Sequence, residues 1–304
     1  MKRLIPTICL LLCLAPWPAE PATRKPEAVQ PPPPPPVTAD VQAKYEIYGG
    51  GLHVIDAELA IKVDPTKYDA RLTARTRGTI GDLFPWWSDV HSSGNVRARE
   101  MQPMEHVSEN SWMGDRRSVT LIYDGKGGFK NRTTDPAPQQ EDREEVAPEL
   151  TKNTMDLMSA ALTLLQRVAQ GESCNQTIAV YDGRRRFNLK FYEVQFEKLP
   201  ETRYGIYHGG ARRCDMQIER VAGFWKKYQT AWTEDGDAHM LLSFWLAQIK
   251  PGGPEIPVRA RTYGDFGTVF VHLTGGTMDG QDIKDILAAN AAASQNETMP
   301  PVSP

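Results

Sequence analysis

The stretch Ile55-Asp56-Ala57-Glu58-Leu59-Ala60-Ile61-Lys62-Val63 alternates apolar and polar side chains, and after Asp64-Pro65 the stretch Tyr68-Asp69-Ala70-Arg71-Leu72-Thr73-Ala74-Arg75 does so again. A strand turns successive side chains to opposite faces, so Ile55, Ala57, Leu59, Ile61 and Val63 share one buried face while Asp56, Glu58 and Lys62 meet water. Two such strands joined by a short proline-containing turn predict an antiparallel hairpin.

Working outward, alternation begins at Tyr45 and predicts further strands at 88–98, 102–112, 116–124, 176–181, 186–196, 212–221, 238–247, 256–263 and 267–274, with a hairpin turn at Asp124 to Gly128. One segment differs. Met155, Met158, Ala161, Leu162, Leu165 and Val168 recur at three- and four-residue spacing between a cap at Asn153 or Thr154 and a stop at Gly171, which predicts an amphipathic helix. A weaker helix is expected from Asp279 to Ala292. With so few helices a parallel sheet could not be covered on both faces, so the fold class is mainly β: a strongly curved antiparallel sheet or half-open barrel, its apolar face hidden by curling and by one covering helix. The acidic, proline-bearing stretch Thr133 to Glu149 reads as a mobile surface loop.

The N-terminus places Lys2 and Arg3 before the apolar run Leu4 to Leu14, which ends at Pro16-Trp17-Pro18. That is the layout of an export signal over residues 1–22, with retention as an N-terminal anchor the alternative; the run is shorter than the roughly 20 residues that span a bilayer. Residues 23–41, with Pro31 to Pro36, read as a stiff polyproline linker. One domain is expected over 42–276, and a weak helix with a disordered tail over 277–304. Beyond the signal only Cys174 and Cys214 remain, and an even count in an oxidising compartment reads as one disulfide. It would close a loop of about 41 residues, contributing roughly 4 kcal/mol. The formal charge of −3 gives no general attraction to nucleic acid.

No arrangement of residues announces catalysis or a cofactor. Gly49-Gly50-Gly51 is followed by neither Lys-Ser nor Lys-Thr, so it reads as a bulge or tight reversal rather than a phosphate loop. The six histidines are scattered, no metal-ligand spacing occurs, and no serine lies in a nucleophile elbow. Two features carry more information. Leu83-Phe84-Pro85-Trp86-Trp87 is either a plug closing one barrel end or an aromatic lip that meets lipid or guides an apolar ligand. Asp182-Gly183-Arg184-Arg185-Arg186 is either a hairpin turn or a cluster gripping an anionic head group.

Tyr45-Glu46-Ile47-Tyr48 to Gly51-Leu52, Leu83-Phe84-Pro85-Trp86, Met158-Ser159-Ala160-Ala161-Leu162, Cys174, Tyr181-Asp182-Gly183-Arg184-Arg185-Arg186-Phe187 and Arg213-Cys214 together resemble the bacterial exported family called domain of unknown function 3108, over roughly residues 42 to 275. Where that family's helix begins Asp-Pro, this chain has Thr154-Met155-Asp156-Leu157. The resemblance implies a Gram-negative periplasmic location and a curved half-open sheet similar to periplasmic lipoprotein carriers. It implies no activity.

The resulting expectation is a non-enzymatic periplasmic module, without metal or cofactor, that holds an apolar or lipidic ligand, or a lipid-bearing partner, for cell-envelope maintenance. Leu83, Phe84, Trp86 and Trp87 would form the lip, Met158, Leu162 and Leu165 the lid, and Arg184, Arg185 and Arg186 the head-group clamp. An envelope interaction scaffold with a filled core is the alternative, and an envelope hydrolase the third.

Overall fold

A computed structural model describes residues 35–97, 99–126, 128–137, 141–226, 242–264 and 267–297. The expected signal, most of the proline linker, positions 238–241 and the end of the tail lie outside the described residues.

The chain runs β1 (Ala39–Gly49), β2 (Leu52–Val63), β3 (Lys67–Thr76), α1 (Gly78–Leu83), β4 (Trp86–Arg97), β5 (Glu100–Trp112), β6 (Asp115–Tyr123) and β7 (Phe129–Asp135). It continues through α2 (Leu157–Ala169), β8 (Gln176–Tyr181), β9 (Arg186–Leu199), β10 (Gly209–Ala222), β11 (Leu242–Gln248), β12 (Glu255–Gly264), β13 (Gly267–Met278), β14 (Gln281–Asp282) and α3 (Ile283–Glu297). The strands form one sheet in the order β7-β6-β5-β4-β3-β2-β1-β13-β12-β11-β10-β9-β8, with β14 beside β13. Each half of the chain is thus a meander, and the first strand pairs with the penultimate one. The hairpin read from the sequence is β2–β3, in register Ile61 against Ala70 and Leu59 against Leu72.

Several boundaries move. Strand begins at Ala39, inside the expected linker, because Ala39, Val41 and Ala43 alternate into the core. Strand β7 replaces the start of the expected loop at Thr133. Its sequence FKNRTTD has no apolar alternation because it is an edge strand with one partner, β6. From Glu141 onward that loop is strapped down rather than mobile: the Glu141 side chain is 3% exposed and pairs with Arg117, Arg143 and Arg184. The weak helix expected from Asp279 is α3, and its first turns belong to the domain, since Ile283 and Ile286 are buried in the main core.

The sheet curls around α2. Leu157 and Ala161 are exposed at one edge of that helix, but Met158, Ser159, Ala160, Leu162, Thr163, Leu164, Gln166 and Val168 are all buried. Met158 and Leu162 pack with β1–β5 and β11–β13, whereas Ala160, Leu164 and Val168 pack with β8–β11. A helix buried on so many sides fills the space between two walls. Its polar residues find partners there: Thr163 Oγ1 accepts from Met101 N at 3.1 Å, and Gln166 holds both backbone groups of Val37. The space expected to shelter a ligand is therefore occupied by the helix itself.

No main-chain ladder joins the edges β7 and β8. Side chains close the seam instead. Phe129 meets Tyr181 edge-on at 5.3 Å and Arg132 donates to Tyr181 Oη and to Gly183 O, while the main chain of Met155, just ahead of α2, bonds to β8 at Ala179 O and Tyr181 N. Gly183, with φ of 86°, is required at this approach, because a Cβ there would lie 2.4 Å from Val119 Cγ1.

Cys174 and Cys214 form the expected disulfide, with Cα atoms 6.3 Å apart and both residues fully buried. It ties the segment after α2 to β10.

Candidate functional site

Antiparallel registers sort the connections to two ends of the sheet. One end carries the turns Gly49–Leu52, Thr76–Trp86, Trp112–Asp115, Tyr181–Arg186 and Gly264–Gly267. The other carries the start of β1, the β11–β12 turn and α3, whose Asn290 donates to Ile249 O. The first end presents a cluster of exposed apolar side chains on its turn tips.

At that end Leu83 (59% exposed), Phe84 (49%), Trp112 (54%), Met113 (53%), Leu52 and Tyr263 project from successive turns. Trp86 lies directly across from Trp112, and Met113 N donates to Pro85 O, which holds the two tips together. Trp86 and Trp87 are half-buried beneath them. The local fold explains the exposure: α1 is one and a half turns long, has no buried residue, and delivers Leu83 and Phe84 to the outer edge. The sequence named Leu83, Phe84, Trp86 and Trp87. It missed Leu52, Trp112, Met113 and Tyr263, which join them only once the registers are known.

The other predicted residues are not brought to this rim as free groups. Met158 and Leu162 are core residues, and Leu165 is half-buried behind them, so they pack the interior rather than form a lid. The three arginines are engaged within the chain. Arg184 is buried and donates to Glu141, Pro136 O, Asp135 O and Ser118 O. Arg185 pairs with Asp182 at 2.8 Å, and Arg186 donates to Leu150 O and Asn188. They latch the β8–β9 hairpin to the seam. A cavity of about 240 Å³ opens there, lined by Arg132, Glu141, Arg143, Glu144, Glu145, Val146, Arg184 and Lys226. Arg143 lies over the Trp225 ring at 3.9 Å, and burial, with Arg185 and Arg184 nearby, holds its guanidinium below the usual range while Glu141 opposes the shift.

A second polar cluster was not legible in the sequence. Ser92 from β4, His106 from β5 and Asp156, the N-cap of α2, converge in the interior. Ser92 Oγ donates to Asp156 Oδ1 at 2.8 Å and faces His106 Nδ1 at 2.7 Å; the same Nδ1 is 3.2 Å from Asp156 Oδ1. These are the residue types of acyl transfer, but the order differs. A relay needs the carboxylate on one imidazole nitrogen and the hydroxyl on the other, whereas here both meet Nδ1 and the serine proton is directed to the carboxylate. Ser159 Oγ also donates to Asp156, at 2.5 Å, and contacts Tyr68 Oη at 2.6 Å. Burial pushes the Asp156 carboxyl up, but the His106 imidazole and the Ser159 hydrogen bonds outweigh it and hold it below the usual range. The geometry anchors α2 to the wall. Among the described residues no group of three or more His, Cys, Asp or Glu side chains is placed to hold a metal ion.

His272 stacks between Tyr204 and Phe270. Burial, with Arg259 adding to it and Glu46 opposing, pushes its imidazole down to about 4. Between that value and the usual imidazole range near 6.5 the unfolded chain binds a proton that the folded chain does not, so stability falls as pH drops through this window. The loss is on the order of 3 kcal/mol at most. Denaturant midpoints at pH 7.5, 5.5 and 4.5 should decline for the wild type and flatten for His272→Phe.

A helix threaded through an incompletely closed antiparallel wall, with an apolar rim at one end, defines a β-barrel-like fold. The chain belongs to the family described as Protein of unknown function (DUF3108), which it matches over residues 44–274. No curated protein matches it. Among solved structures it is similar to a beta-barrel-like protein of the domain of unknown function DUF1849 from Brucella abortus, with 9% identity, a TM-score of 0.41, and coverage of 80% of this chain and 98% of that one.

Proposed function

We propose that this protein is a non-enzymatic module of the periplasm that attaches, through its aromatic rim, to a lipid surface or to the lipid of a lipid-bearing partner. The observation that carries the reading is the exposure of Leu83, Phe84, Trp112, Met113, Leu52 and Tyr263 on neighbouring turn tips. Tips that protrude suit insertion into an interface better than enclosure of a small molecule, and Trp, Phe and Leu are the residues that favour the headgroup boundary. The filled interior supports docking over carriage. No helix among the described residues is long and apolar enough to cross a membrane, and the disulfide suits an oxidising compartment.

The test is flotation with phosphatidylcholine vesicles. Phe84→Ser combined with Trp112→Ser should weaken association by roughly tenfold or more, from the apolar burial forgone, with little change in denaturation midpoint because both side chains are exposed. Wild-type protein that stays with the soluble fraction at every vesicle concentration ends the proposal. The packed interior equally suits a protein-binding envelope scaffold that uses a sheet edge or the proline segment; such a scaffold would retain its partner after the rim is cut back.

A further inference from the structure

One row of cross-strand neighbours runs from Arg213 on β10 through Trp245 on β11 and Arg259 on β12 to His272 on β13. The next row toward the rim is Ser243, Arg261 and Phe270. Directly opposed residues share a face; in these rows Trp245, Ser243 and His272 are buried, while Arg259 and Arg261 are half-buried. Arg259 and Arg261 thus stand side by side on one strand, about 7 Å apart along it.

Their surroundings differ from those of Arg212 and Arg213 on β10. Arg213 is paired with Asp215, and Arg212 with Glu193 and Glu255. Arg259 and Arg261 make no ion pair or hydrogen bond among the described residues, and the Nε of each is buried without an acceptor. Rings hold them in place instead. Trp245 lies 5.4 Å from one guanidinium and 5.8 Å from the other, Phe270 lies 5.3 Å from Arg259, and Tyr263 lies 5.5 Å from Arg261. The carboxylate of Glu197, which also faces this group, accepts from Trp245 Nε1 at 2.5 Å. Two adjacent like charges with unmet donors destabilise a sheet face unless an anion joins them. Guanidiniums fixed on aromatic rings and lacking acceptors are preorganised for an anion with several oxygens.

We infer that Arg259 and Arg261, on their Trp245, Phe270 and Tyr263 platform, form a binding site for a phosphate group. Arg261 precedes the rim turn at Gly264 by three residues, roughly 10 Å of strand. A rim seated at the acyl boundary places the headgroup layer at about that depth. The site itself stands on the arginine geometry; a phospholipid as the source of the phosphate rests on the rim reading.

Thermal unfolding of the full chain with inorganic phosphate, against chloride at equal ionic strength, tests the site. Wild type should gain roughly 2–4 °C at saturating phosphate. Arg259→Met with Arg261→Met should lose that gain yet melt in chloride no lower than wild type, because the methionines still cover the rings and the repulsion is gone. No phosphate-dependent gain in the wild type, or an undiminished gain in the double variant, overturns the site. Flotation then separates the sources. Roughly tenfold stronger association with phosphatidylglycerol than with phosphatidylcholine vesicles, lost in the double variant, assigns the site to a lipid headgroup; equal association alongside an intact phosphate gain supports it as a site for free phosphate. Failure of the rim reading looks different, because Phe84→Ser with Trp112→Ser should leave the phosphate gain untouched.

Discussion

Asp156→Ala is expected to destabilise the protein by about 3–5 kcal/mol, because it removes a helix cap and strips several buried donors of their common acceptor at once. Asp156 is fully buried and accepts from Ser92 Oγ, Ser159 N and Ser159 Oγ while facing His106 Nδ1. Alanine removes the helix cap and leaves His106 and Ser92 short of a partner at once. Asp156→Asn should cost less, because its amide oxygen can still accept from Ser159 N. The carboxyl is held below its usual range, so its stabilisation is fully present above that range and is lost as pH falls through the lowered value. The gap between wild type and Asp156→Asn should therefore close in acid. Urea denaturation at pH 7.5 and in strong acid measures both effects; a loss under about 1 kcal/mol for the alanine variant would contradict the anchoring role.

Replacing Cys174 and Cys214 together with serine should cost roughly 3–4 kcal/mol, the loop entropy of a bridge between residues 40 apart. The bridge fastens the chain just before β8, an edge strand with β9 as its one partner in the sheet. Denaturation with and without reductant should reproduce the difference in the wild type and not in the double variant. Denatured but unreduced protein should leave Cys174 and Cys214 unlabelled by a thiol reagent.

The sequence was readable where one face of a strand is wet and the other dry. Ile55 to Val63 and Tyr68 to Ala74 declare themselves because burial alternates with the pleat. Where both faces have the same surroundings the pattern vanishes. Phe129–Asp135 is polar on both sides at an edge, and no periodicity marks it. The same logic misjudged α2: Met158, Leu162 and Leu165 form a stripe, but the polar Ser159, Thr163 and Gln166 between them are buried as well, each bonded to a partner far along the chain. Their pairing with Tyr68, Met101 and Val37 depends on which walls the helix meets. Of the rim, only the residues contiguous with Pro85 could be named. Trp112 and Tyr263 belong to turns whose neighbours are fixed by strand order, which one sequence does not encode locally. The Arg184 to Arg186 run looked like free charge because Glu141, which holds Arg184, lies 43 positions away.

The pairing of β1 with β13 has a kinetic consequence. Thr274 donates to Lys44 O across 230 residues of chain, so β1 completes its ladder only after nearly the whole domain has emerged and folded around it. Contacts of that separation close slowly, and through that interval β1 is an open edge, a surface that invites pairing with another copy. Asp40, Lys44 and Glu46 alternate with its apolar residues, and charges on a waiting edge are how such strands stay solitary until their own partner arrives.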